Sequence, residues 1–481
     1  MSSLQKIEIK KATITPEAGS FEEPSNPPLG YRATRHLGDK RLVGENITPH
    51  IVQVDYFEDI LSPAVTCYLK ISNTTNLYNR VPIRGYERVD LTIGTTNGDF
   101  QFDDGADGRD ECPFYVIGIQ ELMQVEGQET FTLVLSTLEN LRNETSRCQR
   151  RYERLPISSH VQDILENTLK VPTERIAEVE PSITPYGFIG NNKKPFHICT
   201  WLAPKAQPGS EGTSGTSGSG GLAEAKGTSG FFFYENYDGY HFRSVDSMIK
   251  STAEAANPLA MANRALGRGN YVPTYTATSM ISRDEGSGEN DRQIIHHYMD
   301  KNTNVQKNLR VGLYSNLTYF YNPLTWQMDA VKYNLKAESE GNVKTLGDKI
   351  PIPEGDITTF ASRLLVRIGD TGMWDPSLVE EQGEVPGSGR DNSDMAKAFS
   401  RYTLLFTQSL NIVIPCDVKL RAGQVIKVEL PVVGPTEGDN KEIDQESSGY
   451  YLIRSLRHHF EIADGRNTTS LNLVRDSYGQ T

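Results

Sequence analysis

Two histidine pairs, His296-His297 and His458-His459, are the obvious candidates for metal chemistry. Adjacent residues on a strand point to opposite faces, and no H-E-x-x-H lies nearby, so both pairs fit surface or interface positions rather than a zinc site. The acids Asp103, Asp104, Asp107, Asp110 and Glu111 invite a calcium reading. An EF-hand loop needs acids at alternate positions around a central Gly with a closing Glu, and this spacing fails, so a solvated hairpin tip is expected. Asp55, Glu58 and Asp59 supply carboxylates of the kind a glycosidase pairs, yet a chain with 62 acidic residues offers many such pairs. There is no Gly-Lys dipeptide, no G-x-G-x-x-G after a strand and no G-x-S-x-G, which removes the phosphate-loop and α/β-hydrolase readings. No catalytic residue, cofactor or metal is expected. What remains is the chemistry of surfaces.

The 481 residues exceed one core, so two to four structural units are expected. With 37% hydrophobic and 23% charged residues, 41 Gly and 25 Pro, the composition fits β-rich domains divided by many turns. Lys plus Arg number 49 against 62 acids, a net charge of -13 that disfavours general binding to DNA or anionic lipid. The five cysteines (Cys67, Cys112, Cys148, Cys199, Cys416) form no C-x-x-C and fit reduced, buried apolar positions. No run of eighteen apolar residues occurs, so no membrane segment is expected. Arg142, Arg147, Arg150, Arg151 and Arg154, interleaved with Glu144 and Glu153, fit a solvated connection or a contact to an acidic partner.

Residues 1–46 are rich in Pro, Gly, Glu and Lys, with alternation only at Ile7, Ile9, Ala12 and Ile14, and fit an arm able to pair with another element. Period two then runs over 47–157, through Val65, Cys67, Leu69, Ile71; Val89, Leu91, Ile93; and Phe131, Leu133, Leu135, which builds strands with one wet face. The period changes to 3.6 at Val161, Ile164, Leu165 and Leu169, a helix with Ser158 as N-cap. This opens a helical connection, 158–230, with a second short helix at Phe196–Ala206 and a Gly/Ser/Thr tract from Pro208 to Gly230. Phe231–Tyr234 and Tyr240–Phe242 predict a hairpin leading into a helix from Ser244 to Ala256; 231–256 is assigned to the second barrel. Residues 257–400 form a mixed α/β insert, with strand-like stretches at Arg310–Leu313, Thr318–Tyr321 and Leu364–Ile368 and a loop from Gly369 to Asp394. Period two returns over 401–478 at Leu410, Ile412, Ile414; Ile426, Val428, Leu430; Tyr451, Ile453; and Leu471, Leu473.

These late strands repeat the early ones. Val89, Leu91 and Ile93 match Ile426, Val428 and Leu430 at an offset of 337; Tyr115 and Ile117 match Tyr451 and Ile453 at 336; Leu133 and Leu135 match Leu471 and Leu473 at 338. A near-constant offset over three strands implies a duplicated β unit with an insert between the copies.

The run from Phe231 to Ile249, Phe-Phe-Phe-Tyr-Glu-Asn-Tyr-Asp-Gly-Tyr-His-Phe-Arg-Ser-Val-Asp-Ser-Met-Ile, resembles a segment of baseplate hub proteins from contractile-tailed bacteriophages. Asp59-Ile-Leu-Ser-Pro63 and Val81-Pro-Ile-Arg-Gly-Tyr-Glu-Arg-Val-Asp-Leu91 look like the first barrel of that family. Leu420-Arg-Ala-Gly423, Ser448 to His458 and Leu473-Val-Arg-Asp-Ser477 look like the second. The resemblance covers most of residues 47–478 and implies a mainly β fold with an α+β insert: two tail-tube-like antiparallel β-barrels plus an α/β insert domain. It implies a homotrimeric structural virion protein, assembled in the host cytoplasm, at the centre of a contractile-tail baseplate. Such a protein adapts a sixfold tail tube to a threefold membrane-piercing spike, because a trimer of two-barrel chains is a pseudo-sixfold ring. Implied partners are the spike below, tube or tube-initiator proteins above, and wedge and tape-measure proteins, with DNA only a passenger in the lumen and no direct membrane binding. The hub of a contractile secretion or tailocin spike is the alternative within the family, and a tail-associated peptidoglycan hydrolase the alternative outside it. Hub-motif or interface candidates are Pro82, Arg84 and Glu87; Phe233, Glu235, Gly239, Phe242 and Arg243; and Arg457, His458 and Phe460, positions that barrel folding alone would also explain.

Overall fold

In a computed structural model the structure describes residues 7–15, 45–74, 77, 81, 83–95, 98–102, 112–183, 185–209, 229–249, 272–277, 292–301, 304–322, 326–339, 344–353, 355–368, 390–432, 443–462, 465 and 467–479. The first β unit holds β1 (Glu8–Thr15), β2 (Glu45–Asn46), β3 (Ile51–Asp59), β4 (Thr66–Asn73), β5 (Arg88–Thr95), β6 (Gly98–Phe102), β7 (Phe114–Val125) and β8 (Gln128–Ser136). A connecting layer follows: α1 (Leu138–Thr145), β9 (Arg151–Pro156), α2 (Ile157–Asp163) continued by a π-helical turn at Ile164–Leu169, β10 (Ile176–Val179), β11 (Pro185–Ile189) and α3 (Pro195–Leu202). Next come the hairpin β12 (Phe231–Asn236) and β13 (Gly239–Ser244), then β14 (Thr274–Ala277), β15 (Gln293–Ile294) and β16 (His296–Lys301). The insert contains α4 (Val305–Val311), β17 (Ser315–Asn322), β18 (Gln327–Asn334), α5 (Leu335–Ser339), β19 (Arg363–Ile368) and α6 (Arg390–Leu405). The second β unit is completed by β20 (Gln408–Pro415), β21 (Val425–Glu429), β22 (Gly449–Glu461) and β23 (Thr468–Arg475).

The chain is mainly β, and the duplication is visible as strand order. The first unit runs β5-β7-β8-β4-β3 and the second β21-β22-β23-β20-β16, every neighbour antiparallel. Registers repeat too. Val89 pairs with Phe114 as Ile426 pairs with Tyr451, and Val116 pairs with Leu135 as Ile453 pairs with Leu473. A β-bulge follows each time, between Val116 and Gly118 in β7 and between Ile453 and Ser455 in β22. The turn before β5 recurs before β21: the Glu87 side chain accepts from the Arg84 amide at 2.6 Å, and that of Gln424 from the Arg421 amide at 3.2 Å. These pairs correct one correspondence. Tyr451 and Ile453 answer to Phe114 and Val116, at 337, because the buried phase of β7 is Phe114 and Val116, whereas Ile117 is exposed.

The two units are continuous. β22 pairs with β21 and β23 in its own unit and, from Ser455 to Glu461, with β3 of the first unit, so one 15-stranded sheet and one apolar core run through both. Among the described residues neither unit closes its hydrogen bonds into a barrel, since the second edge of β3 is occupied by β22.

Four expectations change. Residues 8–15 are not free to pair elsewhere: β1 lies antiparallel on β5 with Ala12 and Ile14 fully buried, so this stretch of the arm belongs to the first unit. The hairpin β12-β13 stands in its own three-stranded sheet, order β10-β13-β12, with no backbone pairing to the second unit. Ser158 lies inside α2; Pro156 holds the cap position, and the Ser158 hydroxyl accepts from the Ser182 amide instead. Arg310–Leu313 is not a strand: α4 starts where the Asn304 side chain accepts from the Lys307 amide and ends at Gly312 in the left-handed region. The two other insert strands form as expected, in the sheet β18-β17-β19. Helix follows the hairpin at residues 245–249, and its predicted continuation to Ala256 lies outside the described residues, as do the acidic tip, most of the Gly/Ser/Thr tract and most of the loop after Gly369.

Candidate functional site

The predicted residues fall in three places. Pro82 lies outside the described residues, while Arg84 and Glu87 form the turn before β5, where Glu87 is buried and its carboxylate also accepts from the Gly85 amide at 2.9 Å. Phe233, Glu235, Gly239, Phe242 and Arg243 belong to the hairpin sheet, and Arg457, His458 and Phe460 to the stretch of β22 that receives β3.

The hairpin is a buried polar latch among three parts of the molecule. Glu235 is fully buried; it accepts from Arg175 Nη2 at 2.5 Å, the Val65 amide at 3.1 Å and the Thr137 hydroxyl at 3.0 Å. Arg175 also donates to Glu139 at 3.2 Å, so one guanidinium from the connecting layer serves two carboxylates. Burial pushes the Glu235 carboxyl up to about 7, with Arg175 pulling the other way. On the other side, Glu58 of β3 accepts from the amides of Tyr237 and Ala422, both at 2.7 Å, and from the Tyr56 hydroxyl at 2.9 Å. Arg421 donates to Asp238 at 3.2 Å and lies over the Tyr237 ring at 4.2 Å. First unit, connecting layer and second unit thus meet on one hairpin. Gly239 fits there for two reasons: its φ is 132°, and an added Cβ would collide with the Arg175 carbonyl. Phe233 and Phe242 pack into the core of the connecting layer, while Arg243 reaches Glu178 at 3.0 Å. Arg175 carried no sequence signal; Arg421 and its partner Asp238 both stand within segments recognisable by resemblance, but nothing in the sequence pairs them.

The β3–β22 junction separates inward from outward residues. Outside, Asp55 accepts from Arg457 Nε at 2.8 Å and lies 2.7 Å from His459 Nδ1, with Arg457 over the Phe57 ring at 5.6 Å. Inside, His458 is wholly buried, not at the surface as expected: it stacks on Tyr56 with centroids 6.1 Å apart, touches Phe100 edge-on, and its Nδ1 is 2.9 Å from the Thr469 hydroxyl. Burial, with the nearby Arg421 charge, lowers its pKa to about 3. Phe460 packs in the same core. Glu58 and Asp55, read from sequence as possible acid pairs, therefore serve separate structural bonds. Among the described residues no group of three or more His, Cys, Asp or Glu is placed to hold a metal ion.

Three apolar surfaces stay bare in the single chain. The β7-β8 hairpin projects with Leu122, Met123 and Val125 exposed; β16 presents Tyr298, next to Ile295. The insert sheet turns Thr318 and Phe320 inward and leaves Leu364, Val366, Ile368, Met328 and Trp326 in water, Trp326 at 81% exposure. Such a patch marks an interaction surface.

No protein-family model matches the sequence, and no curated protein does. Solved structures similar to it include a tail protein of Neisseria meningitidis, with a TM-score of 0.47 and 12% identity, covering 90% of this chain and 94% of that one. A 43 kDa tail protein of a Shewanella oneidensis prophage gives a TM-score of 0.46 at 8% identity, covering 98% and 99%. An Escherichia coli component of the type VI secretion system gives 0.42 at 9% identity, covering 89% and 75%.

Proposed function

We propose that the chain is a structural protein of a contractile-tail virion, the trimeric hub at the centre of the baseplate, where it joins a sixfold tube to a threefold spike. The observation that carries this reading is the duplicated five-strand unit, with the same order, registers, turn and bulge in both copies. A single chain gains nothing obvious from carrying two copies of one sheet, but three chains present six. The hub-like motifs of the sequence fall on the repeated turn before β5 and on the hairpin latch and β22, the last two joining one unit to the other. The function is mechanical: rims and edges bind, and no reaction is assigned. The bare face of the insert sheet is the surface we assign to the contact with spike or wedge proteins, and the net charge of -13 suits a lumen through which DNA passes without sticking. Electron microscopy of the purified chain viewed down its symmetry axis tests this: six equivalent lobes around a channel support the reading, and particles lacking a ring, with or without the spike protein, contradict it.

A further inference from the structure

Within one chain, the last strand of the first unit, β3, adds to an edge of β22, so the repeat poses a question: what does the last strand of the second unit, β16, add to? In both units the strand after the repeated turn is held to it by the same two hydrogen bonds. Tyr86 donates to the Val116 carbonyl and Val116 to that of Glu87, as Gly423 donates to the Ile453 carbonyl and Ile453 to that of Gln424. Beyond the bulge, that edge of β22 is filled by β3 from Ser455 to Glu461. On β7 the corresponding edge, from Gly118 to Val125, carries no strand among the described residues; β7 there pairs only with β8. β16 likewise pairs on one edge, with β20, and among the described residues has no strand on the other. Open edges flanked by exposed apolar residues are templates for strand addition.

We infer that β16 of one chain adds antiparallel to the Gly118–Val125 edge of β7 in a second copy, repeating between chains the β3–β22 junction seen within one. This rests on the hub reading and supplies the contact that closes its ring. β7 carries a second bulge, between Gln120 and Met123, that β22 lacks, so the register is read on either side of it from the strands already paired to each edge. His459 faces Thr468 as Met123 faces Thr130, and Asp55 faces Tyr68 of β4 as Tyr298 faces Asn411 of β20. The observed pair Asp55–His459 therefore maps onto Tyr298–Met123, both exposed (63% and 61%), and Phe57–Arg457 onto Asp300–Gln120.

Charge supports the same pairing, with its sign reversed. Inside the chain, β3 brings Asp55, Glu58 and Asp59 to a β22 that carries Arg454, Arg457 and His459, and Glu58 caps the Ala422 amide. At the open site the edge carries Glu121, with Glu126 in the turn beyond it, and Glu87 already caps the amide of Gly85, the residue equivalent to Ala422. The strand offered to it carries Lys301 at the position of Glu58, with Asp300 beside it. The three carboxylates of β3 would be repelled from the acidic β7 edge, which keeps β3 from exchanging into the second junction.

The test is disulfide trapping in the full-length chain. Tyr298→Cys combined with Met123→Cys, treated with a mild oxidant, should convert most of the protein into covalent trimers on non-reducing gels. Either single variant, or Asp300→Cys with Met123→Cys, two residues out of register, should not. Lys301→Glu, at a half-buried edge position that also attracts Asp444 of its own chain, should weaken trimer formation roughly tenfold or more, with Lys301→Gln as the control that loses the Asp444 attraction without adding repulsion at the edge. A trimer by mass that fails to cross-link at 123 and 298, or cross-links equally at 123 and 300, overturns this register and leaves the hub reading standing. A chain that stays monomeric even with the spike protein present overturns both.

Discussion

The two β units share strand order, register, a turn and a bulge, yet they differ at their edges and in what fills them. The second unit receives β3 on β22 and buries His458 and Phe460 against the aromatic interior of the first, Tyr56, Phe100, Phe102 and Phe114. The interior strands of the second unit are aliphatic: Leu410, Ile412, Ile426, Val428, Leu471 and Leu473. The first unit leaves the same stretch of β7 in water. A duplicated sheet keeps its registers because one slip would turn the apolar set outward. Its edges are under no such constraint and are where the copies take on different partners.

The firmest difference is the latch, which only the filled junction has. Gly239→Val places a Cβ against the Arg175 carbonyl at a φ that branched residues do not adopt, and should cost about 4 kcal/mol or more, read as loss of the cooperative urea transition or of soluble protein. Normal folding and assembly of this variant would remove the hairpin from the account. Glu235→Gln keeps shape but removes the carboxyl that burial raises to about 7, so the variant should lack the loss of stability that wild type shows as pH rises through 7, read in denaturant titrations at pH 5 and pH 8.

The junction also has a pH signature. His458 is held neutral, its folded pKa of about 3 lying below the ordinary 6.5, so its contribution is present above pH 6.5 and is lost as pH falls toward 3. Burial raises Glu58 to about 6 and Glu235 to about 7, and their contribution runs oppositely, present below pH 4.5 and lost as pH rises through 6 and 7. The difference between wild type and His458→Phe isolates the first effect: between pH 6 and 5 the variant's stability should fall less steeply, by about 1 kcal/mol per pH unit. Parallel curves would show that His458 titrates normally. The smallest expected effect on the folded monomer comes from the insert: Val366→Lys with Ile368→Lys, both outward on an edge strand, should change unfolding by under about 0.5 kcal/mol while abolishing co-purification with spike or wedge proteins.

Much of this was legible in the residues. Alternation at Cys67, Leu69 and Ile71, or at Leu410, Ile412 and Ile414, reports which face of a strand is buried, and every one of these side chains is in the core. Alternation is silent about edges, so the hairpin's separate sheet and the β1–β5 pairing had no signature beyond apolar residues at Ile9, Ala12 and Ile14. The one-residue error at Tyr115 and Ile117 arises at a bulge, where a period-two pattern changes phase. His458 was misjudged because a histidine pair looks polar in sequence, whereas only the inward member of the pair is stacked on Tyr56. Of the hub-motif candidates, Glu235, Phe242, His458 and Phe460 are fully buried within the single chain, in the latch and the junction. The residues left for association, Met123, Tyr298 and Lys301, carry no motif.

If three chains, each with two equivalent β units, close a pseudo-sixfold ring, the mass in solution follows. Native mass measurement tests it most directly. Three chains of 53.6 kDa, about 161 kDa in all, are the predicted species at micromolar concentration, alone or on addition of the spike protein. A stable 53.6 kDa monomer under both conditions, or a closed dimer, would contradict the account.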